Sequence, residues 1–376
     1  MCEQDFNFNE EKFAEETEKN DNLTPEELID EPIDDIDEAE ELTDEEIADV
    51  LNFVRNHKPD YKAREKRAIK RSAKAVGVSF LVLCGLMWVI NLAAIFIAKI
   101  FEPTYSGAIN LLSDPAVLQV EQIIFSLLVF TLPFIIVFKL CNYRISNLIN
   151  FERPKGKNSF YLFLIGIGFC SFANIASSMA ERVFDRAGIS YEVDFGENPE
   201  GIFGFMLSLI STVIAPALVE EFACRGIVLG ALKKHGHGFA IIASATLFGL
   251  MHSNFEQIPF AFLVGLVLGY ITIKSGSIWI AVFVHAFNNM ISVVYTYFLS
   301  GLSAVSQNIS YTIFLIVCLL FGIFAITKIS DDENIFKLEK ETAISPLSVR
   351  LKSFFLSVPV IIYSSLCILQ SFLYFK

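Results

Sequence analysis

Three apolar stretches carry polar residues of the types that perform hydrolysis. Glu220 lies in Ala215-Pro216-Ala217-Leu218-Val219-Glu220-Glu221-Phe222-Ala223-Cys224-Arg225-Gly226, His252 closes Phe248-Gly249-Leu250-Met251-His252, and His285 opens His285-Ala286-Phe287-Asn288-Asn289. A charge near a bilayer centre costs roughly 2.5–3.5 kcal/mol, so it needs a partner or a task. A carboxylate beside an imidazole can activate a water as general base. A second imidazole and an amide can donate to the oxyanion of a tetrahedral intermediate. Those parts suffice to cleave a peptide bond without a covalent intermediate. Glu220, His252 and His285 are also a zinc-type ligand set, although no HExxH motif accompanies them.

Helical spacing sorts these groups. Asn289 follows His285 by four residues and shares its face. Glu221 and Arg225 are also four apart and can form an intrahelical ion pair, with Glu220 turned about 100° away. One carboxylate is then neutralised within the helix while the other faces a cavity. At a rise of about 1.5 Å per residue, Glu220 lies about 18 Å from the inner end of its run, His252 about 22 Å, and His285 and Asn289 about 12 and 18 Å. Similar depth on three helices predicts one shared polar cavity. Pro216, a turn before Glu220, weakens its helix and frees backbone carbonyls.

The elements that hold these residues are set by composition. The chain has 376 residues, of which 53% are apolar and 19% charged, and a formal net charge of −13. Residues 1–50 hold 22 Asp/Glu against 2 Lys/Arg, so the rest, with 20 acids and 27 bases, is net +7. The negative charge therefore belongs to a tail, and the body is apolar and mildly basic. This excludes an ordinary soluble enzyme, a secreted disulfide scaffold and a basic-stripe nucleic-acid binder. The seven cysteines contain no CxxC pair and read as reduced thiols packed like small hydrophobes. No basic-then-apolar signal peptide opens the chain, whose first apolar run starts near Val76.

Residues 1–42 read as a disordered acidic tail. Thr43 and Glu46 form a capping-box pattern ahead of Ile47, Val50, Leu51 and Val54, predicting a short amphipathic helix near 44–57. From Arg55 to Lys74 a basic collar precedes the first long apolar run, completing a second region over 43–75 that marks the cytoplasmic side. Runs long enough to span recur near 76–100, 117–138, 159–180, 202–232, 238–254, 257–273, 277–299, 310–327 and 353–374. Basic loops (139–158, 233–234, 274, 328–352) alternate with loops lacking bases or rich in acids (101–116, 181–201, 300–309). The fold class is thus an all-α, polytopic transmembrane helix bundle over 76–376. It has about eight or nine spans, nine in this division, with the N-terminus cytoplasmic and the C-terminus outside. Gly265-x-x-x-Gly269 permits close helix contact inside the bundle. His235 and His237, in a turn beside Lys233 and Lys234, read as solvated.

Glu220-Glu221-x-x-x-Arg225, Phe248-x-x-x-His252 and His285-x-x-x-Asn289 resemble the three motifs of the CPBP intramembrane proteases. That group includes the type II CAAX prenyl endopeptidases and Abi-type bacterial proteins, some tied to bacteriocin self-immunity. The resemblance covers about 202–300. It implies that Glu220 is the water-activating carboxylate assisted by His252, and that His285 and Asn289 stabilise the oxyanion. Glu221 and Arg225 would hold the geometry and Phe248 would pack beside it. It also implies a metal-free, glutamate-dependent reaction with no cofactor, zinc being the alternative, and a bacterial cell membrane as the location. Eukaryotic members remove the last three residues of prenylated proteins, but nothing in this sequence indicates a prenylated substrate.

The expected function is therefore an intramembrane endopeptidase acting on a peptide or membrane-associated protein within the lipid bilayer, with no nucleic-acid partner. A non-catalytic immunity or scaffold protein of the same family is the alternative. A proton-coupled permease would also use buried Glu and His, but no inverted repeat supports it.

Overall fold

The computed structural model describes residues 60–374 except 103, 155–157, 187–196, 330–335 and 339–342. The acidic tail and the amphipathic helix expected near 44–57 lie outside the described residues. Among the described residues the structure is helical throughout, without strands. The first helix, α1 (Tyr61–Phe101), begins where the Asp60 carboxylate accepts from the Ala63 N–H at 3.0 Å. Its 41 residues rise about 60 Å, twice a hydrocarbon core of about 30 Å. The basic collar from Lys62 to Lys74 is thus the first turns of the first spanning helix.

Sequence signals set the next boundaries. Thr104 caps the short α2 (Tyr105–Leu112), and Asp114 followed by Pro115 opens α3 (Pro115–Leu140). A single turn, α4 (Ile145–Leu148), leads to α5 (Ser159–Arg186). Then come α6 (Gly201–His235), α7 (His237–Leu250), α8 (Gln257–Ser275), α9 (Trp279–Leu299) and α10 (Ala304–Ile329). The chain closes with α11 (Leu347–Phe355) and α12 (Val358–Ser371).

Among the described residues seven helices are long and apolar enough to cross a membrane, or eight if α11 and α12, bent by 75°, count as one. The nine separate spans expected from the apolar runs are not reached. The run at 238–254 forms α7, whose 14 residues rise about 21 Å, too little to cross. It turns at 251–256 and returns as α8, and His237, Thr272 and Gly276 then line one small cleft. The α7–α8 hairpin thus enters and leaves at the same end of the bundle.

Two clusters of buried side chains hold the helices. One joins α1, α3, α6, α7 and the closing pair through Phe80, Phe134, Phe239, Phe354 and Tyr363, with Phe80 and Tyr363 rings 4.7 Å apart. The other joins α5, α8 and α9 through Leu162, Leu268, Ile271 and Val284. Helix α5 meets α10 where Gly168 faces Gly322, and a Cβ on Gly168 would stand 2.7 Å from the Gly322 Cα. Gly265 lies against Ala245 of α7, so the small-residue spacing packs within the bundle. Large apolar side chains such as Trp88, Phe96, Phe203 and Phe321 point outward, the pattern of a lipid-facing surface.

The basic segments gather at one end. His235 is buried rather than solvated: its Nε2 lies 3.1 Å from Ser72 Oγ, which lies 3.0 Å from Tyr143 Oη. Arg350, also buried, donates to the carbonyls of His235 and Ser345, while the Glu65 carboxylate accepts from the Ile344 and Ser345 N–H groups. His235 can be buried in this way because its ring Nε2 and its carbonyl each have a partner.

Candidate active site

The site is built on α6, whose backbone departs twice from α geometry. π-Helical turns occupy Leu209–Ile214 and Phe222–Val228, on either side of Glu220 and Glu221. Such turns cluster at functional positions because they re-aim side chains and release backbone groups. Pro216 has no N–H for the Thr212 carbonyl four residues before it. That carbonyl accepts from Asn289 Nδ2 at 3.0 Å, tying α9 to α6. The carbonyl release expected at Pro216 therefore has a defined consequence: it fixes the Asn289 amide.

The two adjacent glutamates separate as the helical angle requires. Glu221 is fully buried, and its Oε1 accepts from Arg225 Nη1 at 2.8 Å and lies 2.9 Å from His285 Nδ1. Arg225, equally enclosed, stacks its guanidinium 4.1 Å from the Phe248 ring centroid. Its Nη2 also lies 3.4 Å from the Gly265 carbonyl. Glu220 instead faces a cavity of about 600 Å³. Glu220, Phe248, His252, His285 and Asn289 all line it, together with Thr212, Pro216 and Asn288. Glu221 and Arg225 lie outside that wall and reach the cavity through His285 and Phe248.

The imidazoles are held differently. His252 Nδ1 lies 2.9 Å from the Phe248 carbonyl. A carbonyl only accepts, so Nδ1 carries the proton there, and in the neutral ring Nε2 is left as acceptor. The turn beneath it is knitted by Asn254, which is buried and donates to the His252 carbonyl and to Gln257 Oε1 while accepting from the Gln257 N–H. Ser253 in that turn is left-handed at φ 52°, an uncommon conformation for a non-glycine residue. His285 is fixed by the Glu221 carboxylate. Phe248 stands between the two imidazoles, edge-on to both, at 5.3 and 6.0 Å.

A chain of amides completes the wall. Tyr311 Oη lies 3.4 Å from Asn174 Oδ1, Asn174 Nδ2 donates to Asn288 Oδ1 at 3.0 Å, and Asn288 Nδ2 approaches Asn289 Oδ1 at 3.4 Å. With the Thr212 carbonyl these bonds link α10, α5, α9 and α6. Sequence reasoning missed Asn174, Asn254 and Asn288. Asn174 and Asn288 are amides inside apolar runs, so the argument from insertion cost that found Glu220 applies to them as well. Among the described residues no group of three His, Cys, Asp or Glu side chains is placed to hold a metal ion.

The comparisons with known proteins fall on this segment. Residues 202–291 match the family model of the type II CAAX prenyl endopeptidase, Rce1-like. A Bacillus subtilis (strain 168) protein named "Putative membrane peptidase YdiL" is 28% identical over 126 residues, 32% of this chain and 49% of that protein. The chain thus spans about half the length of this curated relative. No solved structure matches. Each match covers only part of this chain, and each says what that part is similar to.

Proposed function

Taking residues 202–291 as a core of the CAAX-protease type, we propose that the chain is an intramembrane endopeptidase using a Glu/His-activated water. The observation that carries this reading is the convergence of Glu220, His252, His285 and Asn289 on one cavity, with Glu221 withdrawn from it. The Glu220 carboxylate and the His252 Nε2 would each accept one proton of a water in hydrogen bonds, leaving its oxygen lone pair for the scissile carbonyl. The attack forms a C–O bond and a tetrahedral oxyanion as Glu220 takes a proton from the water. His285, as an imidazolium held by Glu221, would donate to that oxyanion from Nε2. Asn289 has a second amide N–H besides the one given to Thr212, and it would donate as well. Glu220 then passes the water's proton to the leaving nitrogen as the C–N bond breaks. No cofactor enters the scheme, and in this reading the bundle sits in a bacterial cell membrane with its basic end cytoplasmic.

Glu220→Gln is isosteric and removes only the base. In reconstituted vesicles it is expected to lower peptide cleavage by about 10²–10⁴-fold while leaving helicity and the thermal midpoint unchanged. Wild-type turnover by Glu220→Gln would overturn the assignment. If the wild-type chain cleaves nothing while protection of cells or partner binding survives both Glu220→Gln and His252→Ala, the non-catalytic family reading holds instead.

A further inference from the structure

The cavity is not symmetric about the membrane. Its deep part is the half-buried Glu220 and His252 with the buried His285, while Gln122, Glu197, Asn198, Ser292 and Thr296 on the same wall are exposed. Those exposed residues sit at the end of the bundle where α6 begins and α9 finishes. Asn198 is held there by Gln119, and the Pro199 carbonyl by the Tyr297 hydroxyl. The collar of α1, the 233–236 turn, Lys274 and Arg350 occupy the other end, joined by the Ser72–His235–Arg350 contacts. Along the described helices Lys99, Arg182 and Arg186 are the bases at the cavity's end, against the seven of the collar alone. An excess of Lys and Arg marks the cytoplasmic side.

We infer that the cavity is entered from the non-cytoplasmic face and takes an extended polypeptide segment, basic rather than acidic. This rests on the peptidase reading for what happens after binding, and on geometry and the distribution of Lys and Arg for access. From His285 to Thr296 the wall runs about 16 Å along α9. An extended chain at about 3.3 Å per residue places about five residues there. Ser292 and Thr296 recur on that helix at a spacing of four; their hydroxyls donate to the Asn289 and Ser292 carbonyls, so each still offers an oxygen as acceptor to a peptide N–H. Among the described residues no Lys or Arg lines the cavity, and Glu197 stands at its mouth, which disfavours an acidic segment through like-charge repulsion.

The test uses the full chain carrying Ser292→Cys, in sealed right-side-out and inverted vesicles, with a membrane-impermeant maleimide and mass spectrometry to locate the label. Thr296→Cys is a second reporter should Ser292→Cys fail to fold, and Lys62→Cys reports the collar. The thiol introduced by Ser292→Cys is expected to label at least tenfold faster in right-side-out vesicles, with the reverse for Lys62→Cys. Labelling of the Ser292→Cys variant from the collar's side overturns the proposal. A lysine-containing decapeptide outside should slow labelling at position 292 at least fivefold and its glutamate counterpart should not. Equal protection by both, or by neither, overturns the substrate class. The readout needs no turnover, so protection without cleavage would remove the peptidase reading and leave this one standing.

Discussion

At the residue scale the site rests on a division of labour between neighbouring carboxylates. Glu221 is enclosed with Arg225 and His285 and has no contact with the cavity, whereas Glu220 lines it. Removing Arg225 leaves the buried Glu221 carboxylate with His285 alone, so Arg225→Met is expected to cost about 3–5 kcal/mol in thermal or denaturant unfolding in detergent. The double change Glu221→Leu, Arg225→Met should recover most of that stability and still lose activity, because His285 would no longer be oriented. A double variant less stable than Arg225→Met would contradict this account. The spacing of four already announced the Glu221–Arg225 bond in the sequence. It did not announce His285 as a third member, because that contact joins residues 64 positions apart on different helices.

At the element scale, two devices fix how the helices meet. Pro216 removes a donor from α6, and Asn289 supplies one from α9. Asn289→Ala should therefore cost about 1 kcal/mol, and less in a Pro216→Ala background, where residue 216 regains an N–H. A double-mutant cycle on thermal stability measures the difference, and strict additivity would argue against the link. The Gly168–Gly322 contact lets α5 and α10 touch at the backbone. Gly168→Leu is overpacking there, expected to cost about 1–3 kcal/mol in thermal unfolding. Apolar run length predicted α1, α3, α5, α6, α9 and α10 in their membrane-crossing parts, because bilayer thickness dictates it. It overstated α7, since an apolar helix buried among its neighbours has the same composition as one that spans.

At the scale of the whole molecule, the basic end is braced by bonds between distant segments. Arg350 and Glu65 tie the closing helices back to the 233–236 turn and the start of α1. Arg350→Met strips a buried carbonyl of its donor and should lower the thermal midpoint, at about 1–3 kcal/mol, without altering Glu220-dependent cleavage at permissive temperature. An unchanged midpoint would mean that the Arg350 hydrogen bonds contribute nothing to the stability of the bundle. Sequence could place His235 beside lysines but not inside this brace, since its partners Ser72, Tyr143 and Arg350 come from distant segments.

The hairpin of α7 and α8 dips into the bundle and comes back out where it started. No hydrophilic loop has to be dragged across the lipid to build it, and His252 rides at its tip. His252 and Glu220 share a wall only in the assembled bundle, because that wall also takes residues from α3, α8 and α9.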